Sequence, residues 1–330
     1  MRGCRATKHA STQGGMALVV VMLCVALLSI SAVTVSDRLH YSAKLHSNRQ
    51  QLQQAYWYAM GGEALAISAL DEVKEKETHH LQQVWAFAGA SYPIDGGSLT
   101  GQLQDLHHCF NVNALLTPPT INDDGQTVPS QAELQFRQLL QQIELSEQSD
   151  QLIDRIRDWI DDNFETGGYL GAEDPYYSAL TPSRMTRNAL MEHASELALL
   201  DLEAGVLNTL RPWICARPDN QLAINPNTLP IEKANLLSAI SLQAITPDKA
   251  KELITQRPEQ GWESIEDFIS QSGIASDGDT SWQSALSLRS NHFQVTVDVV
   301  YYDVLLRMKS RLSVGSERIR VMSREYGEMY

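Results

Sequence analysis

Met16 to Val35 reads MALVVVMLCVALLSISAVTV, twenty residues without a charge. As an α-helix at 1.5 Å per residue, this run spans about 30 Å, the thickness of a bilayer's hydrocarbon core. Beyond it the apolar positions thin to a stripe. Leu39, Leu45, Leu52, Tyr56, Ala59, Met60, Ala66, Ile67, Leu70 and Val73 recur at three-, four- and seven-residue steps, with Glu63 as a polar exception. That period predicts one long helix, half in lipid and half on a globular body. Gly61-Gly62 interrupts the stripe and predicts a bend there.

The pattern then changes period. Leu99 to Leu106 alternates after an Asp95-Gly96-Gly97 turn signal, and His292 to Tyr301 (HFQVTVDVVY) alternates clearly, with Phe293, Val295, Val297 and Val299 on one face. Leu306, Met308, Leu312 and Val314 alternate with Arg307, Lys309, Arg311 and Ser313, and Arg318 to Ser323 gives a third short strand. Consecutive short strands with tight connections imply an antiparallel sheet. A long helix against such a sheet is an α+β fold. Between the two strand regions, residues 117–285 carry helical signals: Ala132–Ile143, Asp150–Asp161, Ser195–Leu202, Glu232–Ile240, Asp248–Gln256 and Ser264–Ser270. The chain thus divides into a leader (1–15), a membrane part of the long helix (16–35), a first part of the sheet domain (36–116), two helical stretches (117–205 and 206–285) and C-terminal strands (286–330).

Charge narrows the partners. The 330 residues carry a formal charge of −14. Residues 1–35 hold Arg2, Arg5 and Lys8 and no acid, so the remainder carries −17. A body this acidic repels phosphate backbones, which disfavours nucleic acid and favours divalent cations and basic protein surfaces. Of four cysteines, Cys4 lies in the leader and Cys24 in the apolar run, leaving Cys109 and Cys215 in the body. On the far side of a membrane two body cysteines suggest one bridge, against the alternative of two buried thiols.

Arg2, Arg5 and Lys8 ahead of the apolar run keep the leader cytoplasmic, which makes the chain a single-pass membrane protein with its body on the far side. The competing reading is a secretory signal with a weak cleavage site at Ser29, Ser31 and Ala32. Gly14-Gly15 sits before the apolar run instead, and a short basic leader ending in Gly followed by Met16-Ala17-Leu18-Val19-Val20 resembles the type IV prepilin family. The resemblance implies cleavage after Gly15 by a prepilin peptidase and methylation of the new N-terminus, Met16. Most of that family carry Glu at mature position five. Val20 stands there in this chain, and the departure resembles the K-type minor pseudopilin of the type II secretion system. A buried carboxylate in lipid is costly without a partner. A tip subunit has no subunit ahead to supply one, which makes Val20 the tip-defining residue. The large helical insertion resembles the same family, as do Cys109-Phe110-Asn111-Val112-Asn113-Ala114-Leu115, Asp158-Trp159-Ile160-Asp161, Gly171-Ala172-Glu173-Asp174-Pro175-Tyr176-Tyr177 and Ser195-Glu196-Leu197.

That resemblance implies a pilin-like α+β fold and a minor pseudopilin that initiates and caps the pseudopilus for export of folded proteins. The implied partners are the I-type and J-type minor pseudopilins, the prepilin peptidase and other inner-membrane components of the system. A minor type IV pilin in adhesion or DNA uptake, or an enzyme or binding domain on a signal anchor, are the alternatives.

Three candidate sites follow. Asp158, Asp161, Asp162, Glu165, Glu173 and Asp174 fall within seventeen residues around Gly167, Gly168 and Gly171. Taken alone, such a loop reads as a solvated acidic face. Its oxygen-only chemistry suits calcium and disfavours zinc, and the D-x-D-x-D-G order of an EF-hand is absent. The resemblance, whose K-type members bind calcium in this region, turns the reading to calcium held by Asp161, Asp162, Glu173 and Asp174, with Glu196 reaching from the next helix. Ile224-Asn225-Pro226-Asn227-Thr228, two helices and Trp262 to Phe268 resemble a helix-hairpin-helix module. Its hairpin, Ile240 to Pro247, lacks the glycines that let a backbone approach phosphate, so it reads as a packing unit. No H-E-x-x-H, G-x-S-x-G or P-loop occurs, and the adjacent pairs His79-His80 and His107-His108 cannot converge on one ion, so no enzyme is expected.

Overall fold

The computed structural model describes residues 14–86, 89–274 and 280–327, so most of the predicted leader lies outside the described residues. Helix α1 runs from Gly14 to Asp71, 58 residues. Strands β1 (Ala90–Ile94), β2 (Gly97–Asp105) and β3 (Phe110–Asn111) follow, then a small hairpin of β4 (Thr120–Ile121) and β5 (Thr127–Val128). The helical body holds α2 (Gln131–Gln142), α3 (Ser149–Ile160), α4 (Asp174–Ser178), α5 (Ala204–Leu210), β6 (Ile214–Cys215), α6 (Ala234–Ile240), α7 (Pro247–Thr255) and α8 (Ile265–Ser272). The chain then returns as β7 (His292–Tyr301), β8 (Val304–Val314) and β9 (Ile319–Gly327).

Five strands form one antiparallel sheet in the order β1-β2-β7-β8-β9, and α1 lies across β7, β8 and β2. The period-2 alternation decides which face meets the helix. Leu99 and Leu103 of β2, Phe293, Val295, Val297 and Val299 of β7, and Leu306, Met308 and Leu312 of β8 are buried against Ala55, Ala59 and Leu70 of α1. Gly61-Gly62 does not interrupt α1, which continues through both. Gly62 instead sits where a Cβ would lie 2.8 Å from Val297 Cγ1, so its missing side chain lets the helix close on the sheet. Glu63, the polar exception, is buried at 3% exposure and forms a two-bonded ion pair with Arg324 of β9, 2.7 and 2.8 Å. β1, not foreseen, continues the sheet beyond β2 as a hairpin through Asp95-Gly96.

The helical body has its own core, built on Phe110, Phe136, Leu139, Leu140, Leu152, Ile153, Ile156, Trp159, Leu236, Leu237, Ile240, Trp262 and Phe268. Local signals start its helices. Ser130, Thr246 and Ser264 cap α2, α7 and α8 by accepting from the backbone N–H three residues on, and Pro247 opens α7 where its missing N–H costs nothing. α8 ends at Gly273, φ 73°, a left-handed stop suited to glycine. The helix expected over Ser195–Leu202 is instead a 3₁₀ segment, Ala194–Leu199.

Two chain crossings join body to sheet, and they are tied by buried polar groups. Asp105 Oδ2 accepts from Thr228 Oγ1 (2.6 Å) and Ser290 Oγ (2.5 Å), and its Oδ1 accepts from the His107 N–H (2.8 Å). Asn225 Nδ2 donates to the His79 and Leu288 carbonyls and to Ser290 Oγ. Asn113 Nδ2 donates to the Met191 and Arg217 carbonyls, and Asn227 exchanges hydrogen bonds with the Trp262 backbone. The asparagines that stood out in the sequence are therefore internal ties that satisfy backbone groups, each fully buried. The helix-hairpin-helix-like unit spends Asn225 and Asn227 on packing. Cys109 and Cys215 form a disulfide beside the parallel β3–β6 pair, Cα–Cα 5.7 Å, closing a loop of 106 residues.

Candidate functional site

The acidic loop leaves α3 at Ile160 and rejoins regular structure at α4. Its shape is set by Asp158, which is fully buried and accepts from the backbone N–H of Gly167 (2.9 Å) and Ala172 (2.8 Å). A Cβ on Gly167 or Gly171 would fall 2.6 or 2.2 Å from the Asp158 carboxylate, so glycine is required at both for the loop to close on it. Burial pushes the Asp158 carboxyl up to about 6, against the pull of those two amides.

The five expected ligands part company. Glu173 is 2% exposed, and burial, together with the charges of Asp158 and Asp161, pushes its carboxyl up to about 7. Its Oε1 is buried and has no hydrogen-bond partner, and the same holds for Asp161 Oδ1 and for the carbonyl oxygen Asn188 Oδ1. Asp161 Oδ2 accepts from Asn163 Nδ2 at 2.8 Å, and burial raises its pKa. Asp174 lies beside them, with Oδ1 accepting from Thr186 N–H (2.8 Å) and Oγ1 (2.7 Å). Asp162 points outward and is exposed.

Glu196 is engaged differently from the other four. Its Oε1 accepts from the N–H of Glu192 (2.8 Å) and His193 (3.1 Å), closing a capping box, while Oε2 accepts from Trp159 Nε1 (3.3 Å) and pairs with Arg187 (3.5 Å). A carboxylate already holding four donors is occupied as a helix cap. Asn188 went unnoticed in the sequence; its φ of 50° and its unpaired carbonyl oxygen are visible only in three dimensions.

Among the described residues no three His, Cys, Asp or Glu side chains converge closely enough to enclose an ion by themselves. The chemistry of the group nonetheless fits a hard cation. Glu173 and Asp161 each keep a buried oxygen without a partner, and the charge of Asp161 helps raise the Glu173 pKa; a divalent ion would neutralise both carboxylates and take the oxygens that lack partners.

His107 and His292 sit where the body joins the sheet, the neck of the molecule. His107 stacks on His292 with centroids 6.0 Å apart, and His107 Nε2 meets Asn291 Oδ1 at 2.9 Å. Burial holds His107 well below its ordinary pKa and lowers His108 to about 4. His292 Nε2 lies 2.8 Å from Asp219. These groups tie the two crossings.

The architecture is that of a membrane-length helix carrying a sheet, interrupted by a helical body. Family models described as "Type II secretion system (T2SS), protein K" match residues 108–219 and 224–289. A type II secretion system protein K of Aeromonas hydrophila is 35% identical over 319 residues, covering 94% of this chain and 96% of that one. This chain belongs to the type II secretion system protein K family. The corresponding protein of Pectobacterium carotovorum subsp. carotovorum is 33% identical over 327 residues, covering 96% and 97%. A solved GspK chain, from the GspK–GspI–GspJ complex of the enterotoxigenic Escherichia coli type 2 secretion system, superposes with a TM-score of 0.74 at 28% identity. That match covers 86% of this chain and 99% of the other. The chain is thus a minor pseudopilin of type II secretion, a structural component with one N-terminal helix apolar enough to cross a membrane.

Proposed function

We propose that this K-family pseudopilin acts as the tip subunit of the pseudopilus. In this reading it starts assembly with I-type and J-type partners and helps drive folded proteins across the outer membrane. The observation that carries the reading is the likeness along nearly the whole solved chain to a GspK that sits in a complex with GspI and GspJ. The geometry supports it. α1 leaves residues 16–50 exposed, a helix surface with no partner inside the subunit. Val20 puts an apolar side chain where a carboxylate would need a subunit ahead of it. The function is assembly, and no catalysis is assigned.

Reaching that state requires processing after Gly15 by a prepilin peptidase, methylation of Met16, and insertion in the inner membrane with the body in the periplasm. The intact mass of the mature chain purified from membranes tests it. A start at methylated Met16 is expected; a retained Met1 or a start beyond Ala32 would overturn the pilin-like maturation.

Calcium belongs to the same proposal. Asp161 and Glu173, with Asn188 and Asp174 beside them, would hold it, and the ion would supply charge neutralisation between α3 and α4. Adding calcium at about 100 times its dissociation constant is expected to stabilise the protein by about 2.7 kcal/mol, raising Tm by about 5 °C over the chelated protein. The variant Glu173→Gln should lose most of that difference. Equal melting with calcium and with chelator would remove the ion from the account.

A further inference from the structure

The acidic body and the membrane-proximal part of α1 carry opposite charge. Of the chain's 40 acids and 26 bases, only Asp37 and six bases precede Glu63, so residues 63–330 hold a charge of −19. Residues 38–62 hold no acid but contain Arg38, Lys44 and Arg49, with His40 and His46 between them. All five lie exposed on α1, and none joins an ion pair among the described residues.

Their heights separate them. At 1.5 Å per residue from Val35, Arg38 stands about 4.5 Å, Lys44 about 14 Å and Arg49 about 21 Å above the end of the apolar run. Helical side chains lean toward the helix N-terminus, which here is back toward the bilayer, so long cationic stems reach several Å lower than their Cα atoms. The headgroup layer adds about 5–7 Å on each side of the hydrocarbon core, and charges are screened over about 8 Å at physiological salt. Arg38 therefore lies among the headgroups, Lys44 lies within one screening length of them, and Arg49 lies beyond both.

We propose that Arg38 and Lys44 form a collar that recruits anionic phospholipid headgroups around α1. The inference rests on residues 16–35 spanning the membrane. The collar attracts the surface that the −19 body is repelled from, so the helix is gripped at its exit from the bilayer while the body is held away. Each cation near an anionic surface is worth about 1 kcal/mol, a factor of about five.

The test uses the mature full-length chain with tryptophan introduced by S36W, reconstituted in vesicles of phosphatidylcholine with brominated phosphatidylglycerol or brominated phosphatidylcholine as quencher. The six native tryptophans are subtracted with the chain lacking S36W; the nearest to the membrane, Trp57, stands about 33 Å from Val35. The expected preference for phosphatidylglycerol is roughly fivefold at low salt, because Asp37, about 3 Å above Val35, offsets one of the two cations; it falls to about one in R38Q or K44Q, reverses in the double variant and is lost at high salt. A ratio near one with both cations present would overturn the collar. So would a preference that survives in the double variant, or one that inorganic phosphate abolishes at an ionic strength where chloride does not. Equal quenching by both lipids, combined with weaker binding of the I- and J-type partners by R38Q/K44Q, would reassign the cations to a protein contact. Absence of quenching by any brominated lipid would overturn the membrane span itself, and the collar with it.

Discussion

Replacing Cys109 and Cys215 together by serine is expected to destabilise the helical body by about 4.7 kcal/mol. The bridge joins residues 106 apart, and cross-linking a loop of that length removes this much chain entropy from the unfolded state. The loop it closes contains α2, α3, α4, α5 and the whole acidic segment. The two-residue β3–β6 pair beside the bridge is too short to hold the loop's ends by itself. The denaturation midpoint of the oxidised wild type should exceed those of the double-serine variant and of the reduced wild type, with the last two similar. A midpoint unmoved by either change would mean that the neck's hydrogen bonds alone fix the body.

The second large effect concerns α1. Arg324→Ala is expected to cost about 3–5 kcal/mol at pH 7, because it leaves the Glu63 carboxylate buried without a counter-charge. Burial pushes Glu63 up, and the two Arg324 hydrogen bonds and the guanidinium charge more than offset it, leaving its pKa below the usual value. A depressed acid contributes stability above its unfolded pKa near 4.5 and loses it as pH falls. In the alanine variant the stranded carboxyl is instead relieved by protonation. The gap between wild type and variant should therefore be widest at neutral pH and close toward pH 4. The double change Glu63→Leu with Arg324→Met should recover most of the loss, since an apolar pair of similar volume removes both the charge and its desolvation. A pH-independent gap, or no recovery in the pair, would mean that packing around β9 rather than charge holds α1 in place.

These two features show what the sequence could carry and what it could not. The membrane-length run and the stripe from Leu39 became α1, whose burial begins only at Ala55, and the alternation from His292 to Tyr301 became β7 with one face buried; each is a local periodicity that sets its element. Helices α2, α3, α7 and α8 were legible from the same signal. The role of Gly62 was not. A glycine pair in a helix reads as a break, and only the approach of Val297 from β7 reveals that the missing side chain is needed for contact. Glu63 was visible as an anomaly, but its partner lies 261 residues away, and no local pattern links the two.

The candidate site divides in the same way. The acidic residues and glycines of 158–174 were read as one loop, and the structure closes that loop on Asp158. Which carboxylates keep a free oxygen depends on hydrogen bonds from elsewhere. Glu196 is consumed by the cap at His193, and Asn188 contributes an oxygen that no spacing rule announces. The Cys109–Leu115 segment carried the family resemblance and Ile224–Thr228 the likeness to a helix-hairpin-helix module, and the physical role of their asparagines is to satisfy backbone groups where the body joins the sheet.

The central claim is that this chain caps a pseudopilus with two partner pseudopilins. The most direct measurement is the mass, by sedimentation or light scattering, of its periplasmic part mixed with those of the I-type and J-type proteins. A single species containing one copy of each is predicted, dependent on all three components. Partners that associate with each other while this chain sediments alone would contradict the account.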